Sequence, residues 1–155
     1  MTKSIIVGTT GIGAAIARQL HGRGVDLHLI SRDTGRLAHL ASELGASHGV
    51  ADVMESDELE QAIVAAGSPV DALCYAVGSI NLKPVSRISN EDALADFQLN
   101  ALGAFRAVKA ALPALKASTS PTASVLLFST VAVGQGFASH TSVAMAKGAV
   151  EGLTR

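Results

Sequence analysis

Residues 4–18, SIIVGTTGIGAAIAR, change period halfway along. The β-branched run Ile5–Ile6–Val7 ends at Gly8 and reads as a buried strand. Beyond it Ile12, Ile16 and Leu20 recur at helical spacing, with Gly22 or Gly24 as the stop. Gly8, Gly11 and Gly13 strip side chains from the turn between the two, and the helix start offers free N–H groups. Thr9 and Thr10 add hydroxyl donors. A phosphate group can approach such a backbone closely.

The same alternation runs along the chain. Further strands are predicted over 25–30, 47–50, 70–78 and 123–130. Helices are predicted over 34–45 and over 55–67 with Ser56 as cap. One long helical region follows over 90–116, capped by Ser89 or Asn90 and kinked or tightened near its end by Pro113, and a last helix starts at about His140. The stretch 79–89 reads as a loop. Five strands alternating with helices predict an α/β fold: a Rossmann-like, doubly wound parallel sheet in three α/β/α layers, strand order 3-2-1-4-5. The ligand crevice of such a sheet lies at the C-terminal ends of strands one and four. Residues 1–155 read as a single domain.

Composition agrees with that plan. Hydrophobic residues make up 48%, charged residues 16% and aromatics 3%, so small aliphatic side chains must build the core. A net charge of −1 gives no footprint for nucleic acid or an anionic membrane. Cys74 is alone, so no internal disulfide is possible, and no Cys/His spacing suggests a metal. The N-terminus lacks the apolar core of a signal peptide, and no run approaches the ~20 apolar residues of a membrane span. A cytoplasmic setting is expected.

After the second strand, an acid would read a free ribose 2′-hydroxyl and a base a 2′-phosphate. Ser31 and Arg32 stand there, which favours NADP over NAD; Asp33 falls one residue late and reads as a helix cap.

Taken in order, these segments resemble the short-chain dehydrogenase/reductase family over essentially the whole chain. That family's turn is T-G-x-x-x-G-x-G; here Val7 stands at its first glycine and Gly8 one place later. Asp52–Val53 resembles the pair that contacts adenine. Residues 71–78, DALCYAVG, resemble D-x-L-V-N-N-A-G, with Tyr75 and Ala76 replacing the two asparagines. FQLNALGAF, 97–105, resembles the active-site asparagine helix, and AKGAVEGLTR, 146–155, the segment after Tyr-x-x-x-Lys.

The resemblance implies hydride transfer between NADP(H) and an unknown carbonyl or alcohol compound. Gly8, Thr9, Thr10, Gly11, Ile12 and Gly13 would hold the phosphates, Ser31 and Arg32 the 2′-phosphate. Asp52 and Val53 would hold the adenine, and Ala76, Val77, Gly78 and Lys147 the nicotinamide ribose. Asn100 would organise a water relay, Thr130 would take the serine's place on the substrate oxygen, and Lys147 would assist catalysis. The family's tyrosine is missing: steps of thirteen residues from Thr130 and four to Lys147 both land on Val143. His140, at i, i+3, i+7 spacing with Val143 and Lys147, is the candidate replacement acid; Ser142 is a second, pointing about 100° away. His21, His28, His39 and His48 are expected away from the crevice.

Family members also carry further strands, so the chain is expected to be C-terminally incomplete or naturally short, with strand five as an exposed edge. Self-association into a homodimer or homotetramer is expected from the helices on which the family pairs. The alternative function is a non-catalytic dinucleotide-binding or sensing protein.

Overall fold

A computed structural model describes residues 2–155. Its strands are β1 (Lys3–Val7), β2 (Asp26–Ser31), β3 (Ser47–Val50), β4 (Ala72–Tyr75) and β5 (Ser124–Leu127). They form one all-parallel sheet in the order β3-β2-β1-β4-β5. The helices are α1 (Gly11–His21), α2 (Thr34–Leu44), α3 (Ser56–Val64), α4 (Asn90–Phe97), α5 (Gly103–Lys116), α6 (Ala132–Gln135) and α7 (Thr141–Leu153). The expected doubly wound α/β sheet is therefore what forms.

Its physical basis is the central strand. Ile5, Ile6 and Val7 are wholly buried because both faces of β1 are covered. Ile5 and Val7 join Leu73 and Tyr75 against Leu59 and Ile63 of α3 and Ala104, Ala107 and Ala111 of α5. Ile6 points the other way, onto Ala17 of α1 and Leu37 and Leu40 of α2. Alanines on the buried stripe of α5 let that helix lie close to the sheet.

Several boundaries differ from the sequence reading. The region 90–116 is not one α-helix: a π-helical segment, Gln98–Leu102, separates α4 from α5. Asn100 lies inside it, and its side-chain amide donates to the Asp96 carbonyl at 2.9 Å. Asparagine competes for helical backbone partners in this way, which periodicity alone does not reveal. Ser56 is not the cap of α3; Glu55 holds that position and makes no side-chain cap bond, while Ser56 is the first helical residue. Asp33 does cap α2, accepting from the Arg36 N–H, and Ser89 caps α4 in a reciprocal box with Asp92. β5 stops at Leu127, so Ser129 and Thr130 lie beyond the pleat, and α6 was not anticipated. A short 3-10 turn, Val85–Arg87, interrupts the predicted loop.

β5 is an outer strand. Its residues Val125 and Leu126 point to opposite faces and are 44% and 46% exposed, while Leu127 packs against the core, so this strand is only partly covered. None of the described helices is long and apolar enough to cross a membrane.

Candidate functional site

The glycine turn comes first because the backbone around it is so tight. Val7 is the last residue of β1, buried and paired with Ile30 and Tyr75. Gly8 follows with φ +94°, and a Cβ there would sit 3.0 Å from the Ala76 backbone. Val7 therefore belongs to the strand, and Gly8 is the first residue of the turn. A Cβ on Gly13 would collide with the Gly8 carbonyl, which explains the third glycine. Gly11, with φ +50°, begins α1.

Two groups in this turn lack internal partners. Thr9 is buried, 5% exposed, and its Oγ1 makes no hydrogen bond. Thr10 holds the N-cap position of α1 without a side-chain cap bond, leaving the first-turn N–H groups uncapped by its hydroxyl. An orphaned buried hydroxyl, a cradle closed to any Cβ and a free helix N-terminus fit a pyrophosphate.

A cleft of about 320 Å³ opens from the turn across the C-terminal ends of β1, β2 and β4. Gly8, Thr9 and Thr10 line one wall; Ser31, Arg32, Asp52 and Val53 line the next; Ala76, Val77 and Gly78 close the third. Gly11, Ile12, Gly13 and Lys147 are not part of its wall. Arg36, Ile30, Ala51 and Leu99 also line it and escaped the sequence reading; Asp33, read as a helix cap, lines it too. Arg36 had a signal: it lies one helical turn after Arg32. Arg32 pairs with Asp52 at 3.3 Å and Arg36 with Asp33 at 3.3 Å, all near the surface. Exposed pairs of this kind are weak and exchange readily for a stronger anion.

Asn100 and Lys147 meet around Gly78. A Cβ on Gly78 would lie 2.9 Å from Asn100 Oδ1 and 3.4 Å from Lys147 Nζ, so only glycine fits between them. Asn100 is fully buried. Lys147 is half-buried, and burial lowers its pKa from the ordinary lysine value. Its ammonium makes no hydrogen bond or ion pair among the described residues. Beneath them Tyr75 donates its hydroxyl to the Leu99 carbonyl at 2.7 Å, and Gly103 leaves room for the ring. Burial raises the pKa of Tyr75, so this phenol stays protonated and structural.

The remaining predicted residues are placed less centrally. Thr130 is half-buried and its Oγ1 accepts the Ala132 N–H at 3.3 Å, which leaves its hydroxyl proton free. Val143 is 4% exposed. His140 holds the N-cap position of α7 with φ −105° and ψ 12°, outside the helix proper, so helical spacing does not place it over Val143 and Lys147. Its Nδ1 lies 2.8 Å from the Ala138 carbonyl, and its ring leans on Phe137 at 5.6 Å. Among the described residues no hydrogen bond joins Thr130 or His140 to Asn100 or Lys147. His28, unlike the surface histidines, is a core residue, bonded to Ser47 and Ala62.

A buried polar cluster was missed. Asp96, 4% exposed, accepts from Ser79 Oγ at 2.7 Å and from Ser142 Oγ at 2.6 Å. The Asn100 amide also donates to Ser79 Oγ at 3.2 Å. The available signal was Asp96 itself, one turn before Asn100 on the same helical stripe. Cys74 is buried, and desolvation pushes its thiol up to about 11, so it is unreactive at neutral pH. Among the described residues no cluster of three His, Cys, Asp or Glu side chains has the arrangement of a metal site.

Residues 6–155 match the family model described as enoyl-(acyl carrier protein) reductase. The chain is 31% identical over 155 residues to the 3-dehydrosphinganine reductase TSC10B of Arabidopsis thaliana, spanning 96% of this chain and 46% of that protein. Among solved structures, a short chain dehydrogenase/reductase family protein superposes with a TM-score of 0.90 at 26% identity, over 99% of this chain and 66% of the other. An actinorhodin polyketide ketoreductase crystallised with NADPH superposes at 0.89 with 25% identity, over 99% and 62%. The chain spans about half the length of the first of these curated relatives.

Proposed function

The chain belongs to the short-chain dehydrogenase/reductase family, and from that premise we propose that it binds NADP(H) and exchanges a hydride with a small carbonyl or alcohol compound. The orphaned Thr9 hydroxyl in the glycine cradle carries this reading, because a buried donor without a partner is costly unless a ligand completes it. Gly8, Thr10, Gly11, Ile12 and Gly13 complete the pyrophosphate seat. Ser31 and Arg32, joined by Arg36, favour the 2′-phosphate; Asp52 and Val53 flank the adenine; Ala76, Val77, Gly78 and Lys147 hold the nicotinamide ribose.

When bound, the nicotinamide supplies or accepts the hydride. The chain's own part is to orient the substrate oxygen and to move one proton at it. The free hydroxyl proton of Thr130 suits a hydrogen bond to that oxygen. Asn100 and Lys147 fix the nicotinamide end through Gly78. With Nδ1–H given to the Ala138 carbonyl, Nε2 is the nitrogen of His140 left to accept the proton in alcohol oxidation or, once protonated, to return it in carbonyl reduction. The reductase and ketoreductase relatives support a ketone as the substrate class. Exposed Phe105 and Leu112 on α5 and Met145 on α7 support self-association as a homodimer or homotetramer, and a buried free thiol suits the cytoplasm.

Val143 favours a second reading, a dinucleotide-binding protein without turnover. Titration of NADPH by its fluorescence tests the shared premise; absence of binding at millimolar cofactor would overturn both readings. Turnover on a carbonyl panel then separates them. Activity in the wild-type chain supports the enzyme, and activity that appears only in Val143→Tyr supports the lapsed one. In His140→Ala, loss of turnover with NADPH binding intact would mark an imidazole donor, and retained turnover would assign the proton to another group.

A further inference from the structure

Val143 removes the phenol, yet one buried carboxylate at the nicotinamide end has no role so far. Asp96 sits in the last turn of α4, which packs on α7. Its two oxygens take one serine hydroxyl each, Ser79 from the segment after β4 and Ser142 from α7. No lysine, arginine or histidine lies within ion-pair distance of it among the described residues. The charged groups on the surrounding elements are mostly engaged elsewhere: Lys83 with Asp92 at 2.7 Å, and Glu151 with Ser129 and Arg155. Glu91 and Arg87 lie at the exposed start of α4 and before it, so Lys147 is the one cation that α7 contributes at this depth. A buried carboxylate without a counter-ion is an expensive way to hold three elements together; an apolar residue would pack there at less cost.

We propose that Asp96 and Ser79 form the proton relay of this chain, with Asp96 as the proton store and the Ser79 hydroxyl as the carrier to the cleft. This rests on the oxidoreductase reading above. Ser79 follows Gly78, which lines the cleft, and is the half-buried one of the two serines; Ser142 is closed off. Both protonation states are fully bonded. With Asp96 ionised, Ser79 donates to Oδ1 and accepts from the Asn100 amide. With Asp96 neutral, its Oδ1–H donates to Ser79, whose second lone pair still accepts from Asn100, and the Ser79 proton turns outward. Ser142 donates to Oδ2 in both.

The step balances in either direction. During carbonyl reduction the substrate carbon gains the hydride of the reduced nicotinamide, and its oxygen gains the outward proton of Ser79. The Ser79 oxygen takes the proton of Asp96 as its own O–H bond breaks, leaving the Asp96 carboxylate. Alcohol oxidation runs the same transfers backwards. Asn100 is a positioning residue here, since its amide orients the Ser79 lone pairs.

Wild type, Asp96→Asn and Ser79→Ala would be compared for NADPH binding and for turnover on a carbonyl panel. Ser79→Ala is the milder change and protects the test if Asp96→Asn folds poorly. The relay predicts unchanged NADPH binding and a kcat lower by about a hundredfold or more in both variants, with KM little moved. Full turnover in Ser79→Ala overturns it. So does a wild-type chain that binds NADPH but reduces no carbonyl until Val143 is replaced by Tyr. The solvent deuterium isotope effect on kcat gives a readout that a merely structural role would not move: it should fall in Ser79→Ala, and an unmoved effect overturns the relay. Failure of wild type to bind NADPH counts against the oxidoreductase reading itself, so the two failures are distinguishable.

Discussion

His28 shows how much one residue can hold in this core. It is 2% exposed, and its Nε2 lies 2.9 Å from the Ala62 carbonyl, an acceptor only, so that nitrogen carries the hydrogen. Nδ1 then accepts from Ser47 at 2.9 Å. Desolvation lowers its pKa below the ordinary histidine value, helped by the nearby charge of Lys3, while the Ala62 carbonyl partly opposes the shift. The neutral ring is the native form, so the unfolded chain binds the extra proton first. Stability is complete above the ordinary histidine pKa of ~6.5 and declines as pH falls from there toward the lowered native value. Thermal melts should show a loss of up to about 1.4 kcal/mol per pH unit in that window. The slope should flatten in His28→Leu, although that variant starts less stable. An equal slope in both would remove His28 as the cause.

Arg32 and Arg36 carry the second residue-scale prediction. Both are exposed, so Arg32→Ala with Arg36→Ala should leave the fold intact. The double variant should bind NADP about tenfold or more weakly, with NAD nearly unaffected, because two charge-assisted contacts to a 2′-phosphate are lost. Parallel titration with the two dinucleotides checks this; equal losses for both would place the arginines elsewhere.

At the scale of elements, the π-helical segment shapes the surroundings of Gly78. It carries Asn100 inward and presents the Leu99 carbonyl to Tyr75. The Tyr75 substitution for an asparagine therefore has a structural consequence: β4 is tied to the segment by a phenol, and Gly103 makes the space. Removing that hydroxyl in Tyr75→Phe leaves a carbonyl short of a partner in the core, at a cost of about 1–3 kcal/mol. Urea unfolding at neutral pH would measure it. A change within error would mean that the carbonyl finds another donor. The glycine turn works in the opposite sense: Thr9 Oγ1 is buried without a hydrogen bond, and Thr10 caps α1 with its carbonyl, which accepts the Gly13 N–H at 3.1 Å, and not with its hydroxyl.

For the molecule as a whole, the sheet is well covered at its centre and only partly covered at β5, where Val125 and Leu126 are exposed. Contiguous apolar exposure of this kind favours association through the edge. Replacing Leu126 with Lys should reduce self-association, read as a lower mass by light scattering at high protein concentration, while leaving the circular dichroism spectrum intact. An unchanged mass would place the contact on another surface, with Phe105, Leu112 and Met145 the next to alter.

Periodicity and glycine placement determined the sheet, its strand order and the glycine turn after β1, because each depends on local patterns that a parallel α/β sheet repeats. The positions of Asn100 and Lys147 were legible for the same reason, as register along recognisable helices. Three things were settled only by packing. That Val7 ends the strand and Gly8 opens the turn shows once Val7 is buried in β1 and Gly8 lies against Ala76. His140 turns to its own loop, because its backbone is not helical. Asp96, Ser79 and Ser142, separated by up to 63 residues, become neighbours only when α4, α7 and the end of β4 converge. Spacing along one element can be counted from sequence, whereas the meeting of polar groups from three elements is fixed by how those elements pack.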